Sequence, residues 1–322
     1  MVIHQLALSS ETPPRFSAGD LGVTVWRGSN GPLVIARREG EQCWVYLAGI
    51  ASYRFPAVAP DVAPDIAPDI APDIAPDLAV RCVAVPASGA ASGLVVDSYY
   101  RVVAPLALQV YGLESLHGTA LGFDGSAVLL CGSSGTGKST LAQALTDRGA
   151  NLLGDDGLVI EVGAGSGGGV LLHPLPFTLL LREPAATHFQ RPTTNLGAPA
   201  ALAPSVTSEA VPVRAVLCLE RVAGAELSVR ELAPTAGLTR LLAHAYAFTL
   251  DDEVRKRRML AAYLRFANAV PVYLLRFPTG LERLASVATL VERIASGEGG
   301  GDGAGIGDGA LNLDGADGAS HG

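Results

Sequence analysis

The chain of 322 residues carries 23 lysines and arginines against 31 aspartates and glutamates, so its formal net charge is −8, and 49% of its residues are apolar. The acidic balance argues against a sequence-independent nucleic-acid binder, because such a protein gains affinity by neutralising phosphates. No uninterrupted apolar run reaches the roughly 18 residues of a membrane span, and the first residues lack the order of a secretion signal, so we expect a cytoplasmic protein without membrane contact.

The first part of the chain alternates short apolar runs with glycine, serine and asparagine turns, which predicts strands at 22–26, 33–37 and 42–47. We therefore expect a small β-rich N-terminal domain over residues 1–95. A tandem Ala-Pro-Asp repeat over 58–78 interrupts it, with a proline at every fourth residue. Because proline removes a backbone donor and resists helix and central strand, the repeat predicts an extended, exposed insertion that acts as a spacer.

A helical connector and a hairpin follow. Apolar residues recur at helical spacing from 97 to about 110, and Gly112 can end that helix. Strands are predicted at 116–123 and 127–131, joined by Asp124-Gly125, a dipeptide typical of two-residue hairpin turns.

The remaining elements indicate an α/β domain over residues 96–295. Further strands are predicted at 151–153 (ending in Asp155-Asp156), 158–162, 170–173, 213–219 and 272–277, with helices at 138–148, 238–249, 253–268 and 281–294. The tail 296–322 is glycine and aspartate with almost nothing to bury, which predicts disorder.

Two side-chain groups have plain structural interpretations. The four cysteines, Cys43, Cys82, Cys131 and Cys218, lie far apart and are expected to be buried free thiols rather than a disulfide or metal site. The one dense basic run, 255–258, lies in a helical pattern and is interpreted as a solvated helix face.

The segment after residue 131 matches the phosphate-loop pattern G-x-x-x-x-G-K-[ST] in full. Its glycines let the backbone aim successive amides at phosphate oxygens, and the following helix points its positive end at the same anion. The predicted nucleotide-binding residues are Gly132, Ser133, Ser134, Gly135, Thr136, Gly137, Lys138, Ser139 and Thr140. Lys138 would reach the β- and γ-phosphates and Ser139 would hold Mg²⁺. A chance glycine-rich turn is the alternative, but the apolar strand before the loop and the helix after it favour nucleotide binding.

An acidic pair, Asp155-Asp156, follows eighteen residues after Lys138. One carboxylate can complete the Mg²⁺ shell while the other accepts a proton from an attacking hydroxyl, and repulsion between them raises the pKa of one. The alternative is an ordinary turn, since Asp155-Asp156-Gly157 is also turn chemistry. No Leu-Ser-Gly-Gly-Gln or Asn-Lys-x-Asp segment is found, which disfavours ABC-type ATPases and Ras-like GTPases.

These segments together resemble the HPr kinase/phosphorylase family, whose P-loop domain is related to phosphoenolpyruvate carboxykinase. The resemblance covers about residues 112–160. It rests on Leu116-His117-Gly118, the loop 132–140, Arg148-Gly149 and the run Leu152 to Asp156, with His117 twenty-one residues before Lys138.

The resemblance implies a P-loop kinase core of the phosphoenolpyruvate carboxykinase-like type behind the β-rich N-terminal domain. It implies that His117, Lys138 and Asp156 are active-site residues, with Asp156 as proton acceptor, and that ATP and Mg²⁺ are the cofactors. On its own, a single histidine near a strand is usually structural. We place Ser139 and Asp155 near Mg²⁺ and expect the phosphate acceptor to be a serine of a protein or peptide.

Three departures from that family narrow the interpretation. Its Glu-Ile-Arg-Gly segment, which supplies a glutamate metal ligand, has no clear counterpart, and Glu183 in Leu181-Arg182-Glu183 is the nearest candidate. Its Pro-Gly-Arg-Asn loop is not found, and residues 1–95 do not resemble its regulatory domain. HPr is therefore not favoured as acceptor, and the chain also resembles kinases that modify ribosomally made peptides.

The sequence leaves other functions open. A small-molecule kinase and a nucleotide-binding regulator without transfer activity are the alternatives to a serine kinase. Homo-oligomerisation is common in the family that the chain resembles, and it stays open here.

Overall fold

The computed structural model describes residues 2–15, 23–28, 31–57, 78–164, 168–177, 179, 181–191, 209–246 and 253–297. They form a mixed α/β fold with two sheets, which confirms the predicted fold class at that level. Among these residues, no helix combines the length and apolarity needed to cross a membrane.

The first sheet has six strands in the order β1-β6-β5-β4-β3-β2. They are β1 (Val2–Leu8), β2 (Val23–Gly28), β3 (Gly31–Glu39), β4 (Gln42–Leu47), β5 (Ala51–Pro56) and β6 (Leu78–Pro86). Strand β1 runs parallel to β6, and the other neighbours are antiparallel. The predicted strands correspond to β2, β3 and β4. Most of the proline repeat, and the tail beyond residue 297, lie outside the described residues.

A helical connector joins the two sheets where the sequence predicts one helix. It consists of α1 (Ser92–Ser98), a π-helical turn (Tyr99–Val103), α2 (Ala104–Leu108) and a 3₁₀ turn that ends at Gly112. Gly112 has a φ of 84°, the left-handed conformation that suits glycine at a helix end. The π-helical turn is the unpredicted part, and such turns recur at functional sites.

The connector packs against the first sheet through aromatic side chains. The hydroxyl of Tyr53 donates to the carbonyl of Val95 at 2.7 Å, and the Tyr53 ring stacks on Tyr99 with centroids 6.4 Å apart. Both rings are fully buried. Sheet and connector therefore share one hydrophobic core, while a domain boundary at residue 95 stays a prediction.

The second sheet has seven strands in the order β10-β9-β7-β8-β11-β13-β12. They are β7 (Glu114–Phe123), β8 (Ser126–Cys131), β9 (Asn151–Ala164), β10 (Gly169–His173), β11 (Val211–Arg221), β12 (Ser228–Glu231) and β13 (Val272–Phe277). Strand β10 pairs with β11 as well as with β9. Five strands, β10, β9, β7, β8 and β11, therefore close into a ring.

Helices cover both faces of this sheet: α3 (Lys138–Asp147) and α7 (Leu284–Ala295) on one, and α5 (Pro234–Leu242) and α6 (Glu253–Ala269) on the other. A short helix, α4 (Ala185–His188), follows β10 in the chain. Alternate residues of β8 point to opposite sides. Leu129 belongs to the core that includes α5 and α6, whereas Val128 and Leu130 belong to the core that includes α3 and α7. Because both faces of β8 are buried, the loop that follows it starts from a fixed position.

Strand β9 corrects the prediction for the acidic pair. The sequence predicts a strand that ends at Asp155-Asp156 and a second one at 158–162, but β9 is one strand of 14 residues with both aspartates in its middle. Gly157 is not a turn residue. A Cβ there would lie 2.4 Å from the carbonyl oxygen of Arg101, so the glycine lets the connector pack against the strand. β9 and β8 run in the same direction, with β7 between them.

The prediction for the cysteines is confirmed, and that for the basic run 255–258 is confirmed only in part. All four cysteines are free and buried, as expected. The basic run is only partly a solvated face: Arg257 and Arg258 are exposed, whereas Arg255 donates twice to Glu114, at 2.7 Å each. Glu114 is 3% exposed, so this ion pair is largely removed from water.

Candidate active site

The phosphate loop has the backbone that its glycines make possible. Gly135 and Gly137 have φ values of 80° and 108°, in the range that side-chain-bearing residues avoid. The amide of Thr136 donates to the carbonyl of Ser133 at 3.1 Å and closes the turn, after which α3 begins at Lys138. The loop therefore leads directly into a helix N-terminus, an arrangement suited to phosphate.

The ammonium of Lys138 is buried among neutral groups. The residue is 7% exposed, and its Nζ donates to the carbonyls of Gly132 at 2.7 Å and Ser133 at 3.4 Å. In the described part of the chain it forms no ion pair with a carboxylate. Burial lowers its pKa, and the nearby charges of Asp156 and Asp155 oppose that shift. A buried cation whose hydrogen-bond partners are neutral is suited to receive an anion.

His117 joins the loop to strand β9. Its Nε2 lies 3.2 Å from Nζ of Lys138, and its Nδ1 lies 3.1 Å from the carbonyl oxygen of Asp156. Because an ammonium can only donate, Nε2 accepts, and Nδ1 therefore carries the proton and donates to the carbonyl. Burial and, after it, the charge of Lys138 lower the pKa of His117, which favours this neutral form.

Asp155 is the more buried carboxyl of the acidic pair. It is 3% exposed, and its Oδ1 accepts a hydrogen bond of 2.6 Å from Thr119 Oγ1. Burial and then the charge of Asp156 raise its pKa to about 7, against the Thr119 hydrogen bond and the charges of Arg101 and Lys138. The raised pKa that the sequence predicts within the pair therefore belongs to Asp155, the proposed metal-side residue.

Asp156 has an unusual backbone and an accessible carboxylate. Its φ is +69°, and its side chain is 38% exposed. Oδ2 accepts a hydrogen bond of 2.6 Å from Nη1 of Arg101. Asp156 thus pairs with Arg101, while Lys138 reaches the Asp156 backbone only through His117.

Sequence reasoning missed Arg101. It lies in the π-helical turn, is 4% exposed, and also donates through Nε to Asp97 at 2.9 Å. The one available signal was local: Asp97 and Arg101 are four residues apart on a predicted helix, a spacing that favours ion pairs.

Tyr246 was missed for a different reason. The predicted helix 238–249 ends at Leu242 in the structure, where α5 stops, and Ala245 then forms a bridge to Leu116 of β7. This brings the Tyr246 hydroxyl to 3.2 Å from Nδ1 of His117. Burial raises the pKa of Tyr246, so its hydroxyl stays protonated.

His117, Lys138, Asp155 and Asp156 line one cleft of about 750 Å³, whereas Arg101 and Tyr246 lie outside its lining. Its floor includes the phosphate loop and helix start from Ser134 to Leu141, together with His117, Asp155 and Asp156. One wall is formed by the segment 181–185, and another by Phe277 and the turn that leads into α7. Gly132 and Ser133 lie behind this lining and hold Lys138. The structure thus brings the sequence-predicted residues together, while their roles stay predictions.

The candidate metal ligands lie on the same surface. Ser139, Asp155 and Glu183 all line the cleft, and the Glu183 carboxylate accepts a hydrogen bond of 2.7 Å from Thr187 Oγ1. Over the described ranges, no group of three or more histidine, cysteine, aspartate or glutamate side chains is placed to hold a metal ion.

No protein-family model and no curated protein matches this chain. Among solved structures, it is similar to the Hpr(Ser) kinase/phosphatase from Coxiella burnetii. That match has 16% sequence identity and a TM-score of 0.33, and covers 58% of this chain and 93% of the other.

Proposed function

We propose that this protein is an ATP- and Mg²⁺-dependent kinase that transfers the γ-phosphate to a serine hydroxyl of a protein or peptide. The observation that carries the proposal is one cleft lined by both the phosphate loop from Ser134 onward and an adjacent carboxylate pair. Lys138, His117 and the Asp156 backbone form a continuous chain of contacts across it.

The loop fits a triphosphate in shape and in charge. Gly135 and Gly137 allow the backbone amides to converge, and Lys138 has no carboxylate partner among the described residues. When bound, ATP with Mg²⁺ supplies the transferable phosphoryl group, and the metal offsets the phosphate charge. Lys138 would bind the phosphate oxygens, and His117 would fix the position of the lysine relative to strand β9.

Magnesium needs few protein ligands because phosphates and waters fill much of its shell. The Ser139 hydroxyl and the Asp155 carboxyl are the two groups on the cleft floor that suit it. A cation beside Asp155 would favour the ionised form that burial disfavours. Glu183 is a third candidate ligand on the cleft wall. To bind the metal, its carboxylate would have to give up the hydrogen bond from Thr187.

Asp156 is the better candidate for the base because its carboxylate is accessible. As the acceptor oxygen bonds to phosphorus and the bond to the departing ADP oxygen breaks, the serine proton would pass to Asp156. Asp155, with 3% exposure, is too enclosed to meet an acceptor hydroxyl.

The test is transfer of labelled γ-phosphate from ATP to candidate acceptors by the wild type, Asp156→Asn and Lys138→Ala. Asp156→Asn should keep the Kd for ATP but lose on the order of 10²- to 10⁴-fold in kcat. Lys138→Ala should both weaken ATP binding and lower kcat. Asp147→Asn, which removes a carboxylate outside the cleft lining, is the matched control. Unchanged turnover in Asp156→Asn would contradict its assignment as base.

The position of the label separates the remaining functions. Label on a peptide serine supports the proposal, and label on a metabolite identifies a small-molecule kinase instead. ATP binding without any transfer to peptides, proteins or metabolites would leave a nucleotide-dependent regulator.

A further inference from the structure

Three carboxylates converge on the guanidinium of Arg101. Its Nε donates to Asp97 at 2.9 Å, its Nη1 donates to Asp156 at 2.6 Å, and the same Nη1 lies 4.0 Å from Asp155. The arginine is 4% exposed, so its guanidinium is shielded from water, although the Asp156 carboxylate that it binds is 38% exposed. Hydrogen bonds between charged groups are the strong ones, and the planar guanidinium fixes direction as well as distance.

Asp156 needs such support because its backbone is unfavourable. A φ of +69° is sparsely populated by residues other than glycine and persists only where the surroundings impose it. Two contacts do so from opposite ends of the residue: His117 lies 3.1 Å from the carbonyl oxygen, and Arg101 binds the carboxylate. Without Arg101, the exposed side chain would be free to rotate.

Arg101 is itself held from the N-terminal side of the molecule. Its backbone carbonyl lies where a Cβ on Gly157 would be only 2.4 Å away, so connector and strand β9 are in direct contact. Two residues earlier, Tyr99 stacks on Tyr53 of the first sheet. The first sheet, the connector and Asp156 therefore form a continuous packed path.

We propose that Arg101 is a positioning residue that holds the Asp156 carboxylate in its reacting orientation. Through the connector, the N-terminal sheet thereby supports the catalytic cleft. This inference rests on the proposed function for its kinetic consequences, but its structural claim can be tested separately.

The first test compares Arg101→Met with Arg255→Met in the full chain. Arg255, like Arg101, is an arginine with a carboxylate partner, in this case the buried Glu114, and it lies outside the cleft lining. Arg101→Met should lower kcat by roughly 10- to 100-fold, since small displacements of a reacting group are costly, while the Kd for ATP changes less than about threefold. Arg255→Met should reduce stability but keep kcat. Equal kcat losses in both variants would overturn the proposal.

A double-mutant cycle then tests whether Arg101 acts through Asp156. In an Asp156→Asn background, Arg101→Met should change the residual kcat by less than about threefold, because the group to be positioned is already inactive. A loss as large as in the wild-type background would overturn the proposed route. Arg101→Lys keeps the positive charge but not the planar guanidinium. Its kcat should therefore lie between those of Arg101→Met and the wild type.

Two further measurements test the positioning role even if Arg101→Met does not fold or the wild type transfers no phosphate. Asp97→Asn loosens Arg101 without removing its charge and should lower kcat several-fold; an unchanged kcat would count against positioning. Crystal structures of Arg101→Met, or of Asp97→Asn if the former does not fold, should show the Asp156 carboxylate displaced relative to Arg255→Met. If the wild type transfers no phosphate, the proposed function fails. A displaced Asp156 would then still support positioning, and an unmoved one would refute it.

Discussion

Nζ of Lys138 lies 3.2 Å from Nε2 of His117, and this contact ties the phosphate loop to the strand that carries the acidic pair. A lysine ammonium beside an imidazole disfavours a second positive charge, and because the ammonium can only donate, Nε2 of His117 accepts. His117 is therefore neutral, with its proton on Nδ1, where it holds the carbonyl of Asp156.

A neutral, buried His117 predicts a loss of stability in mild acid. Because the pKa of His117 is lowered in the folded protein, stability is complete above the unfolded pKa of about 6.5 and is lost as the pH falls from there through the lowered folded pKa. Urea unfolding at about pH 7.5 and about pH 5.5 should show a smaller acid-induced loss in His117→Gln than in the wild type. His188→Gln, an exposed histidine of α4, should behave as the wild type does. An identical pH dependence in His117→Gln would contradict the prediction.

Asp155 predicts the opposite dependence of stability on pH, a loss as the pH rises. Its pKa is raised to about 7, so its ionisation costs stability as the pH rises from about 4 to about 7, and the full cost is present above that range. Asp155→Asn, which can keep the Thr119 hydrogen bond, should therefore raise the free energy of unfolding at about pH 8 by on the order of 2–4 kcal/mol, and by much less at about pH 5. It should also abolish Mg²⁺-dependent transfer. A variant less stable than the wild type at pH 8 would contradict the burial argument.

Gly157 predicts a steric effect on the same strand. In Gly157→Ala the new Cβ would meet the Arg101 carbonyl and Pro105 at 2.4 and 2.8 Å, so the connector must move away. We expect a loss of roughly 1–3 kcal/mol or more in stability, as for overpacked cores, together with lower kcat. Gly154→Ala is the matched control, because its Cβ would come close only to the movable end of Leu158, at 2.9 Å, and would make an ordinary contact of 3.9 Å with Ala120. Urea unfolding of both variants measures the difference, and equal losses would contradict the prediction.

Gly137 predicts a specific loss of nucleotide binding. At its φ of 108° an alanine is strained, and relief of that strain would turn loop amides away from the phosphates. Gly137→Ala should weaken ATP binding by roughly tenfold or more, measured by calorimetry. Gly89→Ala, at an exposed turn with a φ of 78°, should lose stability but keep its affinity. Equal ATP affinity in Gly137→Ala would argue against the loop as the phosphate site.

The parts of the site that could be predicted from the sequence are local in the chain. The phosphate loop needs only a strand, a few glycines and a helix start, all within about a dozen residues, so its pattern specifies its geometry. The hairpin at Asp124-Gly125 is local in the same way, and both residues take the positive φ that such a turn requires.

The parts that could not be predicted depend on distant contacts. Arg101 meets Asp156 across 55 residues of sequence, and only the packing of the connector on β9 brings them together. The same packing explains the wrong turn prediction at Gly157. A glycine after two aspartates is typical of a turn, and the actual reason for the glycine, close contact with Arg101, lies in a distant segment of the chain. Tyr246 was assigned to a helix because its apolar neighbours fit a helical period, whereas pairing with β7 ended that helix early.

The ring of five strands has a mechanical consequence for the cleft. The strands that carry the phosphate loop and the acidic pair both flank β7, and the ring continues around through β10 and β11. The phosphate loop and the acidic pair are thus attached to strands of one closed ring, so they can separate only if a hydrogen-bonded ladder breaks. The 181–185 segment and the turn after β13 line the cleft without belonging to the ring, so under the proposed function substrate choice can change there while the distance between the loop and Asp156 is preserved.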